Sequence, residues 1–294
     1  MIVVQITGGL GNQMFQYAAG RALSLKKNTD LILNIQHFDD IAEKKDLINR
    51  DFELGIFGLD KKVRKNPFIN YLKTNSNFLK RIYYLIRKKL INFSFFYEGN
   101  LEHKNEFHFL GKSVYLQGYF QSEKYFKDYR KELLSDFNFP EDINSENKRL
   151  LNLINKNSSV SIHIRRGDYI NNKLTNSVHG VLPKSYFEDA VKIILSKVSN
   201  PYFFIFSDDP EWVKNNFKLE VPFEIISHNQ GNQSYIDMYL MSCCDHNIVA
   251  NSSFSWWGAW LNKNPEKIVI GTKNWFIDPE KQRNDIMCES WIKI

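Results

Sequence analysis

Cysteine is scarce in this chain of 294 residues: Cys243, Cys244 and Cys288, none in a C-x-x-C pair. Adjacent Cys243 and Cys244 do not readily bridge each other, and Cys288 is distant. The odd count fits neither a disulfide framework nor a zinc site. That pattern points to a reducing compartment and a cytoplasmic location. No apolar run approaches the roughly 18–20 residues that a membrane span needs. The apolar opening, Ile2-Val-Val-Gln-Ile6, is too short for a signal peptide and has no basic lead. Gly8-Gly-Leu-Gly11 lacks the spacing of G-x-G-x-x-G, and no G-K-[ST] follows it, which argues against dinucleotide and P-loop binding. Metal spacing is missing as well. Asp208-Asp209 is not D-x-D, and His37, His103, His108, His179, His228 and His246 are scattered.

What is present describes a folded protein. Apolar residues make up 43%, aromatics 15% and charged residues 24%, enough to fill two cores and too apolar for disorder. The net charge of +6 is uneven. Residues 61–100 carry ten bases against one acid, Glu98, so the rest of the chain is slightly acidic. A basic surplus confined to one segment is no sign of a nucleic-acid partner. Within it, Phe78 to Leu90 has the pattern of a basic amphipathic helix. It is either a solvated face or a peripheral contact with an anionic membrane.

The opening follows a strand, a glycine turn, a helix from Asn12 to Lys26 and a second strand from Leu31 to Ile35. After Asn157 the chain alternates regularly. Strands are predicted at 160–164, 202–206, 223–226, 247–250 and 267–270, with helices at 184–198, 210–217, 234–244 and 252–261. Such alternation implies parallel sheets with right-handed crossovers, an α/β fold. The polar stretch around Pro140 suggests a boundary, giving domains 1–150 and 151–294.

Ligands of open parallel sheets sit beyond the carboxyl ends of the strands. The segments falling there are Arg165-Arg-Gly-Asp168, Ser207-Asp-Asp209, Ser227-His228 and Asn251-Ser-Ser253. Two guanidinium forks at a strand end suit a diphosphate, and Asp168 can orient one of them. The alternative is a surface ion-pair cluster. Asn251, Ser252, Ser253 and Ser255 offer a helix cap with hydroxyl donors; plain capping explains them equally well. Trp256, Trp257 and Trp260 are read as core. Asp208 before Pro210 is read as a helix entry. Asp39, just past the second strand, is the candidate general base, with a surface or capping acid as the alternative.

Three segments together resemble the bacterial α-1,2-fucosyltransferases of glycosyltransferase family 11. They are Gly8-Gly-Leu-Gly-Asn-Gln-Met-Phe-Gln-Tyr17, His163-Ile-Arg-Arg-Gly-Asp-Tyr169 and Ala250-Asn-Ser-Ser-Phe-Ser-Trp-Trp257. Gly118-Tyr-Phe-Gln121 and the closing Trp291-Ile-Lys-Ile294 also match. The resemblance implies a GT-B fold, two Rossmann-like domains facing a cleft. It implies inverting, metal-independent transfer of L-fucose from GDP-fucose, without a cofactor, to the 2-OH of a galactose in a glycan. By the same resemblance Arg165 and Arg166 grip the pyrophosphate, with His163 and Asp168 in support. Asn251, Ser252, Ser253 and Ser255 would add donor contacts, and Asn12, Gln13, Tyr119 and Gln121 would face the acceptor.

Overall fold

The computed structural model describes residues 1–42, 51–64, 93–99, 102–171, 173–278, 282 and 285–294, with the backbone alone at 40–42, 168, 171 and 173–175. The basic helix expected at 78–90 lies outside the described residues. The chain divides into two compact units, Met1–Asn138 and Phe139–Ile294. The division falls before the expected boundary at 150, because the helix that follows Asn144 packs into the second unit.

In the first unit, β1 (Ile2–Gln5), α1 (Leu10–Lys27) and β2 (Leu31–Asn34) form the expected opening, followed by α2 (Gln36–Ala42). β3 (Ser94–Tyr97) and β4 (Val114–Gln117) complete a parallel sheet of order β2-β1-β4-β3. β1 is central and all four of its residues are buried. α1 is buried around most of its surface, so its apolar stripe is weakly marked in sequence. α3 (Arg130–Asp136) is tied to α1 through Asp136, which accepts from the Tyr17 hydroxyl at 2.9 Å and from Arg21 Nε at 2.8 Å. Two histidines that look unrelated in sequence meet here: the Nε2 atoms of His103 and His108 lie 3.0 Å apart.

The second unit begins with α4 (Ser145–Lys156) and β5 (Ser158–Ile164), then α5 (Gly167–Asn171) and α6 (Lys173–His179), two short helices in a stretch for which the sequence predicts no element. α7 (Lys184–Leu195), β6 (Pro201–Ser207), α8 (Pro210–Asn216), β7 (Phe223–Ile226), α9 (Tyr235–Cys243), β8 (His246–Ile248), α10 (Ser253–Leu261), β9 (Val269–Gly271) and β10 (Ile292–Lys293) follow. The parallel sheet runs β10-β9-β8-β5-β6-β7. Strand order therefore reverses beside β5, between β5 and β8.

β5 shows why a strand in such a sheet need not be apolar throughout. Val160, Ile162 and Ile164 enter a core with Phe187, Ala190 and Ile194 of α7. Ser159 and Ser161, which alternate with them, are polar and hydrogen-bonded on the other face. Ser159 Oγ donates to Asp245, and Ser161 Oγ accepts from Asn247 Nδ2 at 2.8 Å. Next on that face comes His163, whose ring centroid lies 5.7 Å from that of Phe254 on α10. The three tryptophans of α10 are core, as expected, each no more than 3% exposed.

Candidate functional site

The pairing of β5 with β6 builds the site. Parallel register sets Ile164 opposite Ser207. Continued one and two residues past the strand ends, it brings Arg165 to Asp208 and Arg166 to Asp209. Both ion pairs form, Arg165 Nη1 to Asp208 at 3.0 Å and Arg166 Nε to Asp209 at 3.2 Å. The Arg166 amide also donates to Asp208 Oδ1 at 2.8 Å. Gly167 permits the close approach of Asp208: a Cβ there would lie 2.9 Å from its Oδ2. The aspartates that hold the arginines therefore come from the next strand. Asp168, expected to orient an arginine, has its backbone in α5, and its side chain lies outside the described residues.

Arg166 is held on an edge and on a face. Its guanidinium carbon sits 3.8 Å from the centroid of the Trp212 ring, and its side chain is 16% exposed. The Nε edge faces Asp209 and one face lies on the indole. Among the described residues its two η nitrogens hold no hydrogen bond, although their edge is the part of guanidinium that binds phosphate oxygens in a fork. The Arg165 guanidinium lies 5.9 Å from the Tyr169 ring.

Asn251 and the helix cap follow β8, across the switch point. The Asn251 side chain is 1% exposed and its Nδ2 lies within hydrogen-bond reach of three carbonyls, those of His179, Gly180 and Trp275. Tyr169 donates its hydroxyl to the Asn251 carbonyl at 2.8 Å. Ser252 caps α10, accepting from the Phe254 amide, and the Ser255 hydroxyl donates back to the Ser252 carbonyl. Ser253 opens the helix, half-buried. Two buried polar atoms flank the switch point without a partner among the described residues, His163 Nδ1 and Asn251 Oδ1. Burial, then the neighbouring Arg165, pushes the His163 pKa down to about 4, so its ring is neutral at pH 7.

In the first unit the expected acceptor-side residues divide. Gln13 is a correction: it is fully buried, its amide nitrogen donates to the carbonyls of Gly8 and Asp51, and its oxygen accepts from the Glu53 amide. Both ends of its amide thus hold the 51–53 segment, and the side chain is buried away from solvent. Glu53 in turn accepts from the Leu10 amide at the start of α1, so a carboxylate already occupies that helix pole. Asn12 Oδ1 accepts from Gln121 Nε2 at 2.8 Å. Tyr119 is 41% exposed, and its amide and that of Phe120 donate to buried Glu98, a residue that sequence reading passed over. Its signal was visible, as the one acid in a strongly basic stretch. Asp39 lies exposed in the first turn of α2.

Across its whole length, residues 1–294, the sequence matches the profile described as Glycosyl transferase family 11. It is 36% identical to an alpha-1,2-colitosyltransferase of Escherichia coli over 298 residues, covering 100% of this chain and 99% of that one. It is 34% identical to the O-antigen biosynthesis glycosyltransferase WbnK of Escherichia coli, covering 98% and 99%. A galactoside 2-alpha-L-fucosyltransferase SEC1 of Bos taurus is 27% identical over 52% of this chain and 44% of its own length. Among solved structures, the fucosyltransferase NodZ from Bradyrhizobium aligns with a TM-score of 0.45 at 12% identity, covering 87% of this chain and 91% of that one. A parallel α/β glycosyltransferase is thereby defined, and the chain belongs to glycosyltransferase family 11.

Proposed function

We propose that this glycosyltransferase moves L-fucose from GDP-fucose onto the 2-OH of a galactose in a glycan, with inversion at the anomeric carbon and without a metal ion or cofactor. The observation that carries the proposal is the arrangement of Arg166, anchored at Nε and on one face, with no hydrogen bond at its η edge among the described residues, beside Arg165 at the switch point. In this reading the second unit takes the nucleotide and the first unit faces the acceptor. GDP leaves as the acceptor hydroxyl attacks in line, and charge grows on the pyrophosphate. Fixed guanidinium donors bind that growing charge more tightly in the transition state than in the ground state. The two ion pairs balance the local charge, so the pull on phosphate comes from aimed N–H groups more than from net charge. Asp208 and Asp209 keep those groups aimed. Asp39 is the proposed base for the acceptor hydroxyl.

A donor screen in EDTA with a panel of β-galactosides, followed by linkage analysis, tests the proposal. Transfer of fucose to O2 is the expected result; turnover that requires added magnesium or manganese would defeat it. The Escherichia coli relative named for colitose favours a second reading, GDP-colitose as donor, so both sugar nucleotides belong in the screen. Arg166→Ala is expected to fold normally and to lose about 100- to 1,000-fold in turnover, roughly 3–4 kcal/mol. Peripheral attachment through the basic segment remains part of the proposal. Among the described residues no helix is long and apolar enough to cross a membrane. Co-sedimentation with anionic liposomes at low salt is its test, and a protein that stays in the supernatant would end it.

A further inference from the structure

We propose that Trp212 is a positioning residue for the reaction, setting the plane of the Arg166 guanidinium so that only its η edge is left for the departing diphosphate. The inference rests on the reading of Arg166 as a diphosphate ligand. It starts from a closed unit of three residues. One oxygen of Asp209 accepts from the Trp212 amide at 3.2 Å and caps α8, while the other accepts from Arg166 Nε at 3.2 Å. The indole closes the unit by lying 3.8 Å beneath the guanidinium carbon.

Each part restricts a different freedom. Asp209 at Nε fixes the rotation of the guanidinium within its plane. The indole face fixes the tilt of that plane, which a single hydrogen bond at the Nε edge leaves soft. Trp212 itself has little room to move. It packs against the core that holds Val213 and Phe217, and Pro210 at the first turn of α8 stiffens the backbone before it. The plane of the Arg166 guanidinium is therefore set from α8, through its cap Asp209 and the Trp212 indole. A tryptophan one turn into a surface helix has no mark in sequence to distinguish it from ordinary packing.

The test compares Trp212→Leu, Trp212→Phe and Arg166→Ala for GDP affinity by calorimetry and for kcat and both KM values, with melting curves to verify folding. A cation–π contact of this type corresponds to about 2- to 30-fold in affinity. Trp212→Leu is expected to weaken GDP binding by about that factor, to raise the donor KM and lower kcat, and to leave the acceptor KM unchanged. Trp212→Phe, which keeps an aromatic face and most of the core packing, recovers most of the loss. In an Arg166→Ala background Trp212→Leu adds nothing, because the partner it positions is gone. If Arg166→Ala weakens GDP binding and both Trp212 variants do not, the positioning role is wrong and the arginine's role stands. If Arg166→Ala itself binds GDP as the wild type does, both are wrong. Equal further losses from Trp212→Leu with and without Arg166 would also overturn the inference, since the indole would then act on something else.

Discussion

At the scale of single residues, the candidate site is a matter of which N–H groups are aimed and which are already engaged. Arg166 differs from an ordinary surface arginine in having one edge and one face committed. Charge alone should then not replace it. Arg166→Lys keeps a cation but loses both the fork and the flat surface that lies on Trp212. It is expected to remain at least about 10-fold below the wild type in kcat, on the scale of a lost transition-state donor. A lysine variant with wild-type turnover, measured at saturating donor, would show that charge suffices. The surroundings of His163 are of another kind. It is neutral and buried at the base of the site, so it can offer an imidazole nitrogen without adding a charge that would compete for Asp208.

At the scale of elements, the segment after β8 works as a latch. Asn251 draws the end of α6 and the strand-free segment at Trp275 onto the end of the sheet through one amide group. Asn251→Asp preserves the shape but removes the donor and places a carboxylate against buried carbonyls. A loss of about 1–3 kcal/mol is expected, the range for leaving buried polar groups unpaired. Thermal melts check it, and a variant that melts with the wild type would mean the three contacts carry no net stability. The same logic explains why α1 has no side-chain cap of its own: Glu53 reaches its Leu10 amide from another part of the chain.

At the scale of the whole molecule, two buried titratable groups of the second unit pull the pH dependence of stability in opposite directions. His163 protonates near 6.5 when unfolded but only near 4 in the native state. Between those values the unfolded chain holds the extra proton, so stability falls as pH falls. Asp237 accepts from Asn229, but burial raises its pKa from 3.8 to about 7. Between those values the native state holds the extra proton, so stability falls as pH rises. Each slope is at most about 1.4 kcal/mol per pH unit, and over the shared window they offset one another. Melting curves from pH 4.5 to 6.5 should therefore tilt in opposite senses in the two variants relative to the wild type. Asp237→Asn should gain stability toward higher pH more steeply, and His163→Gln should lose it. Parallel profiles for all three proteins would refute the assignment.

Much of this was legible before folding. Strand and helix periodicity gave the alternating second half, and Gly118, Arg165, Arg166 and Asn251 stood out because strand ends and turns carry polar residues for a reason. The burial tendency of tryptophan predicts a core role for those of α10, and they are core. What periodicity could not supply was partnership. Glu98 beneath the Tyr119 turn, Asp208 and Asp209 on the arginines, Trp212 under Arg166 and the His103–His108 pair all join residues from separate segments or turns. The inward orientation of Gln13 is of the same kind. By itself the sequence determined the main alternation of strands and helices in the second half and the kinds of side chain gathered at the sheet's carboxyl end, because both follow from local repeat and local chemistry. Only the tertiary structure decided which of those side chains are engaged by neighbours and which keep atoms to offer a ligand, because strand register and helix packing bring together groups that no local pattern links.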